Sequence, residues 1–240
     1  MDYYSDHRSD AQRRCRWSYL GRLDYQEAWD IQRALVEARH DSRIDDSLLL
    51  LEHPPTYTVG RRTETSHLLL PRERLEELGA AVIDVDRGGQ ATYHGPGQLV
   101  GYPIIGLRGW GGPLHYVRAL EAVLIGTLAH FGVQAGRIDG LTGVWVGDRK
   151  IAAIGVKISR GVTSHGFALN VTTDLSWFDH IIPCGIHDRE VTSLERVLGR
   201  SVSLEEVAGV VAGQFGVWVD CAMETARAEE MLLLSGARSK

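Results

Sequence analysis

Apolar positions after Asp24 recur at helical spacing. Ala28, Ile31, Leu35 and Ala38 share one face, with Gln32 among them and Trp29 beside them. Glu27 stands three residues after Asp24, as in a capping box, so the pattern predicts a helix opening there. The period then changes. Residues 47–52 contain Leu48, Leu49, Leu50 and Leu51, a run of strand length that reads as buried and that Pro54 and Pro55 end. Residues 57–60 read as extended, 61–70 as a surface loop and 71–78 as one or two helical turns. Residues 80–86 and 99–105 are strand candidates. A long helix is expected over 114–131, with Val117, Leu120, Val123 or Leu124, and Leu128 as its stripe and Gly132 closing it. Residues 142–146 and 151–158 flank a turn-forming stretch, 147–150, and predict a hairpin. Residues 165–171 form a further strand. Thr192 with Glu195 and Ser203 with Glu206 repeat the capping-box spacing. They predict a short helix over 192–198 and a second helix that ends near Phe215, where Gly216 stops it. Residues 217–219 then read as a last short strand.

Hairpins lie beside helices in this order, so a regular alternation of strand and helix fails. The expected class is α+β (mixed α/β), a single domain with one main sheet and a smaller one. The folded part is expected over 17–219. Residues 1–16, rich in Asp, Arg and Ser, read as a disordered lead, and 220–240 as a flexible tail or a loosely attached helix.

Composition narrows the function. The chain has 240 residues, 44% of them apolar, with a formal net charge of -5 and a pI of about 6.1. That balance argues against a general nucleic-acid binder. Cys15, Cys184 and Cys221 are odd in number and widely spaced, which fits neither a disulfide framework nor a thiolate zinc site. His94, His165, His180 and His187 are scattered, so no metal is expected. No apolar run approaches the length of a membrane span, and no secretory core opens the chain. The expectation is a cytoplasmic monomer with no membrane partner.

The candidate chemistry lies in four segments. Cys184 stands between Pro183 and Gly185, which leaves its thiol uncrowded; the alternative is an inert buried cysteine. Lys150 follows Asp148 and Arg149 and precedes an apolar strand. It is either a solvated turn lysine or an ammonium that lowers the pKa of a nearby thiol. Residues 87–98 hold four glycines and imply close backbone approach. They match neither a P-loop nor a dinucleotide fingerprint. His94 within them is a polar wall, a proton relay or a strut. Gly166 and Ala168 either leave room against a strand for something narrow, with His165 and Asn170 bracing the loops around it, or mark a strand packed tightly on a helix. A G-x-S-x-G elbow is absent.

These residues carry a resemblance. Arg87, Gly88, Gly89, Gln90, Ala91, Thr92, Tyr93 and His94, with Gly95, Pro96, Gly97 and Gln98 after them, form the first motif. Arg149, Lys150, Ile151, Ala152, Ala153, Ile154 and Gly155 form the second. His165, Gly166, Phe167, Ala168, Leu169 and Asn170 form the third, and Pro183, Cys184, Gly185 and Ile186 the fourth. In this order they resemble the lipoate-protein ligase B family, the octanoyl-[acyl-carrier-protein]:protein N-octanoyltransferases. The resemblance covers residues 17–219. It implies the fold of biotin and lipoate protein ligases and a catalytic dyad of Cys184 and Lys150. It also implies a substrate site at Arg87 to His94, at Ala153, Ile154 and Gly155, and at Gly166, Phe167 and Ala168. The implied reaction needs no cofactor, neither ATP nor metal, and proceeds through an octanoyl-cysteine. The implied partners are octanoyl-acyl carrier protein as donor and, as acceptors, the lipoyl domains of glycine cleavage H protein and 2-oxoacid dehydrogenase E2 subunits. Arg61, Arg62, Arg87 and Arg149 are candidates for a basic surface that receives the carrier. The rival readings are an ATP-dependent lipoate or biotin ligase, a non-catalytic binding module and a cysteine hydrolase.

Overall fold

The four consecutive leucines show how the main sheet is built. In the computed structural model, which describes residues 13–63, 67–182 and 190–234, they lie on one strand, Asp46–Glu52. Successive side chains of a strand point to opposite faces. Leu48 and Leu50 therefore enter one core, and Leu49 and Leu51 another. Both faces are covered, so the run is continuous where a half-exposed strand would alternate.

The elements follow in chain order: β1 (Arg14–Arg22), α1 (Tyr25–His40), β2 (Asp46–Glu52), β3 (Thr56–Val59), α2 (Arg72–Glu77), β4 (Ala81–Asp84), β5 (Thr92–His94), β6 (Gln98–Ile104), α3 (Pro113–His130), β7 (Gly136–Ile138), β8 (Leu141–Val146), β9 (Arg149–Ser159), β10 (Val162–Asn170), α4 (Leu194–Leu198), α5 (Leu204–Val219), β11 (Ala222–Thr225) and α6 (Ala228–Leu234). A 3-10 turn spans Leu175–His180. Eight strands form the main sheet in the order β11-β1-β2-β6-β10-β9-β8-β7. β1 is parallel to both β2 and β11, and the remaining pairs are antiparallel. Helices α3 and α5 cover one face and α1 and α6 the other. A three-stranded sheet, β4-β3-β5, stands beside it and packs on α2 and the 3-10 turn. The α+β reading holds. Among the described residues, no helix is long and apolar enough to cross a membrane.

The element bounds differ from expectation at several places. β1 already begins at Arg14, and β11 and α6 extend the fold past residue 219. β11 adds to β1 in parallel register, Arg14 opposite Ala222. α5 runs through Gly216 to Val219, so 217–219 is helix, not strand. One interior glycine costs a helix only about 1 kcal/mol, and α5 ends instead at Asp220, in the left-handed region at φ 52°. Ser193, not Thr192, caps α4 by accepting from the Arg196 N–H, whereas the Thr192 N–H goes to Lys150 O. Asp24 occupies the cap position of α1 but makes no side-chain capping bond.

Candidate active site

β9 and β10 face each other through small residues. Ala153 pairs with Ala168 and Gly155 with Gly166. The glycine-rich loop lies over this strip. The Gly88 N–H donates to Val156 O at 3.0 Å, and Gly89 O accepts from the Arg62 N–H at 3.2 Å. The Arg87 side chain is buried and donates to Thr58 O at 3.0 Å, Thr58 Oγ1 at 2.8 Å and Gly88 O at 3.1 Å. A Cβ at Gly155 would stand 3.0 Å from both Arg87 Cδ and Gly88 O, so the loop can close on the strand only over a glycine. Arg87 is thus part of the interior and leaves the basic-surface set. Arg61 and Arg62 are exposed and Arg149 is half-buried.

Loop and strip wall a mostly apolar cleft that opens to solvent and holds about 460 Å³ of empty space, solvent included. Arg87, Gly89, Gln90, Thr92, His94, Ala153, Ile154, Gly155, His165, Gly166, Phe167 and Ala168 line it. Ala91 and Tyr93 do not. The two-residue period of β5 turns them into the core of the small sheet, where Tyr93 stacks on Trp177 at 5.4 Å. Gly88 faces an outer hollow instead. Tyr25 of α1 and Val100 and Tyr102 of β6 also line the cleft. No sequence motif marked them, and only the register of the main sheet brings them in.

The histidines sit in hydrogen-bond networks. His94 Nδ1 lies 2.9 Å from Gln98 Oε1 and its Nε2 3.3 Å from Thr58 Oγ1. Gln98 Nε2 already donates to Tyr93 O and Asn170 Oδ1, so Nδ1 carries the proton and the ring is neutral. Burial, helped by His53 and Arg87, holds the His94 pKa well below its ordinary value. Burial likewise lowers His53 to about 4; its Nδ1 donates to Leu23 O and its Nε2 accepts from Tyr102. His165 sits in the left-handed region at φ 55°, strain that costs on the order of 1 kcal/mol for a non-glycine residue. Its N–H donates to Gln32 Oε1 and its Nε2 lies 2.8 Å from Oδ1 of Asp86, a carboxylate whose Oδ2 accepts from Lys157.

The polar chain continues to Lys150. Asn170 Nδ2 donates to Thr192 O at 3.0 Å, the Thr192 N–H to Lys150 O at 2.8 Å, and the Lys150 N–H to Glu190 O at 2.9 Å. Lys150 is 6% exposed, which excludes the solvated-turn reading. Its Nζ lies 5.2 Å from the Trp145 ring centroid. Gly143 makes room for it: at φ 126°, a Cβ there would meet Lys150 Cε at 2.7 Å. Buried Glu121 of α3 fixes that glycine by accepting its N–H at 3.2 Å and is itself held by Arg118 and Arg137. Lys150 lines two hollows. One, of about 300 Å³, includes Thr92, Ala153, Ala168 and Asn170. The other, of about 930 Å³, includes Arg62, Gly88, Gln90, Thr142 and Gly155. Both share walls with the apolar cleft.

Cys184 lies outside the described residues, as do Pro183, Gly185, Ile186 and His187. The chain flanking them is placed. The Ile182 N–H donates to His67 O, and Glu190 accepts from Lys150. Cys15 and Cys221 are buried in the main core, away from this site.

Over residues 24–216 the chain matches the lipoyl protein ligase A/B catalytic domain. It is 53% identical over 214 residues to the octanoyltransferase of Acidobacterium capsulatum, with 82% of this chain and 87% of that protein covered. Among solved structures it is similar to the bipartite lipoate protein ligase of an archaeal lipoylation system from Thermoplasma acidophilum. That likeness has a TM-score of 0.69 at 17% identity and covers 95% of this chain and 98% of the other. The biotin protein ligase of Aquifex aeolicus gives 0.55 at 15% identity, over 85% and 70%. The two structures establish the fold, a biotin and lipoate ligase-like domain. With the domain match spanning most of the chain and a relative this similar along most of its length, the chain belongs to the lipoyl protein ligase A/B family, in its lipoate-protein ligase B, or octanoyltransferase, branch.

Proposed function

We propose that this chain carries an octanoyl group from octanoyl-acyl carrier protein to the lysine of a lipoyl domain, through a thioester on Cys184. The observation that carries this reading is Lys150: a buried lysine that lines two hollows sharing walls with the apolar cleft, its backbone bonded to Glu190 and Thr192, which follow Cys184 closely in the chain. An ammonium beside a thiol favours the thiolate, and each tenfold gain in thiolate is about 1.4 kcal/mol.

In the first half-reaction the octanoyl chain enters the cleft and the Cys184 thiolate attacks the thioester carbonyl. The carbon–sulfur bond to the carrier breaks, and the departing thiolate takes a proton from Lys150. In the second, the acceptor amine attacks the acyl-cysteine, Cys184 leaves as thiolate and the amine gives up its proton to Lys150. Thioester to amide is downhill, so the reading requires neither nucleotide nor metal. Arg62 on the outer hollow, with Arg61 beside it, offers the acidic carrier a basic contact. The acceptors are the lipoyl domains of glycine cleavage H protein and of 2-oxoacid dehydrogenase E2 subunits.

Intact-protein mass after mixing with octanoyl-acyl carrier protein, without ATP, tests this. One octanoyl group on the wild type, removed by hydroxylamine and missing from Cys184→Ala, is expected. An adduct that forms equally on Cys184→Ala, or acyl transfer only when ATP is added, would contradict it.

A further inference from the structure

Gln90 holds a polar atom that the fold leaves without a partner. Its Oε1 is buried and accepts no hydrogen bond among the described residues. Other buried polar atoms share that state, on Gln32, Thr63, Tyr116 and Thr192, but none of those residues lines the apolar cleft or the hollows around Lys150. Gln90 lines both the apolar cleft and the outer hollow, so it stands at the throat between them. The loop is pinned close by on either side, by Gly88 N–H to Val156 O and Gly89 O to Arg62 N–H before it and by the Thr92 pairing with Thr58 after it. A buried carbonyl without a donor is costly, and native proteins keep one mainly where something else satisfies it.

The octanoyl-transfer reading above, on which this rests, supplies the donor. Lys150 and Gln90 both line the outer hollow, so with the acyl chain in the cleft and the thioester near Lys150 the linker beyond the sulfur lies in the hollow that Gln90 borders. A carrier-protein arm ends in cysteamine, whose nitrogen, two carbons from the sulfur, is an amide N–H. We infer that Gln90 Oε1 accepts a hydrogen bond from this amide, so that the enzyme selects N-acylcysteamine thioesters over other octanoyl thioesters.

The test compares S-octanoyl-N-acetylcysteamine with its oxygen isostere, S-octanoyl-2-acetoxyethanethiol, which has an ester in place of the amide. Formation of the octanoyl-enzyme is followed on wild type and Gln90→Met. Wild type is expected to favour the amide by about tenfold in kcat/KM, the size of one hydrogen bond, and Gln90→Met to treat both alike. Equal rates on wild type overturn the inference even if Gln90→Met does not fold, and so does a preference that survives in a folded Gln90→Met. If Gln90→Met keeps the preference and instead loses transfer to a lysine amine, the N–H belongs to the acceptor and the assignment to the donor is overturned. A wild type that takes octanoyl from neither thioester overturns the transfer reading itself.

Discussion

His53 lies behind the cleft as a neutral ring, and its cost is paid in acid. Burial holds its folded-state pKa at about 4, against ~6.5 in an unfolded chain. Between those values the unfolded state binds a proton that the folded state refuses, so stability rises with pH and is lost as pH falls from about 6.5 toward 4. The loss is on the order of 3 kcal/mol for this group, and His94 acts in the same direction. Chemical denaturation at a series of pH values should show this decline, and His53→Gln should flatten it. An equally steep decline in His53→Gln would assign the acid sensitivity elsewhere. The residues that sequence alone made legible were those whose neighbours in the chain announce them. The glycines of the loop and the small residues of β9 and β10 are in this group. Burial of Lys150 was not legible, because its setting comes from Gly143, Trp145 and Thr192 on other segments.

At the scale of elements, the seat of Lys150 depends on how α3 grips β8. Glu121 accepts the Gly143 N–H, and β8 and β9 shift register by a residue between Val144 and Trp145, beside the lysine. That bulge sets Trp145 opposite Lys150. Gly143→Ala places a methyl against Lys150 Cε in a backbone conformation that alanine disfavours. It should cost roughly 1–3 kcal/mol, read as a lower urea midpoint. It should also slow octanoyl-enzyme formation by about tenfold to a hundredfold. A variant with the lower midpoint but the wild-type rate would show that the lysine's exact seat is unimportant. The helix–glycine contact left no trace in the sequence pattern, since Glu121 reads there as one of several polar residues on a largely apolar helix. β5 was hidden for a similar reason. Its three residues are strand only because β3 lies beside them, and without β5 the inward turn of Ala91 and Tyr93 cannot be foreseen.

At the scale of the whole molecule, the cleft exists because two sheets meet under α1. Its walls come from Tyr25, the loop of Arg87, β6, β9 and β10, positions that only the completed sheet order brings together. Strand and helix types followed from local periodicity, whereas the parallel pairing of β11 with β1 joins strands roughly 200 residues apart and has no local signature. In the proposed mechanism the acyl group travels on Cys184. The most direct test is to isolate the octanoyl-enzyme free of donor, then mix it with an unmodified lipoyl domain in the absence of ATP and follow both masses. The octanoyl group is expected to leave the enzyme and appear on the lipoyl lysine at a rate no slower than steady-state turnover. An adduct that stays on the enzyme, or that is released to water while the lipoyl domain remains unmodified, would contradict it.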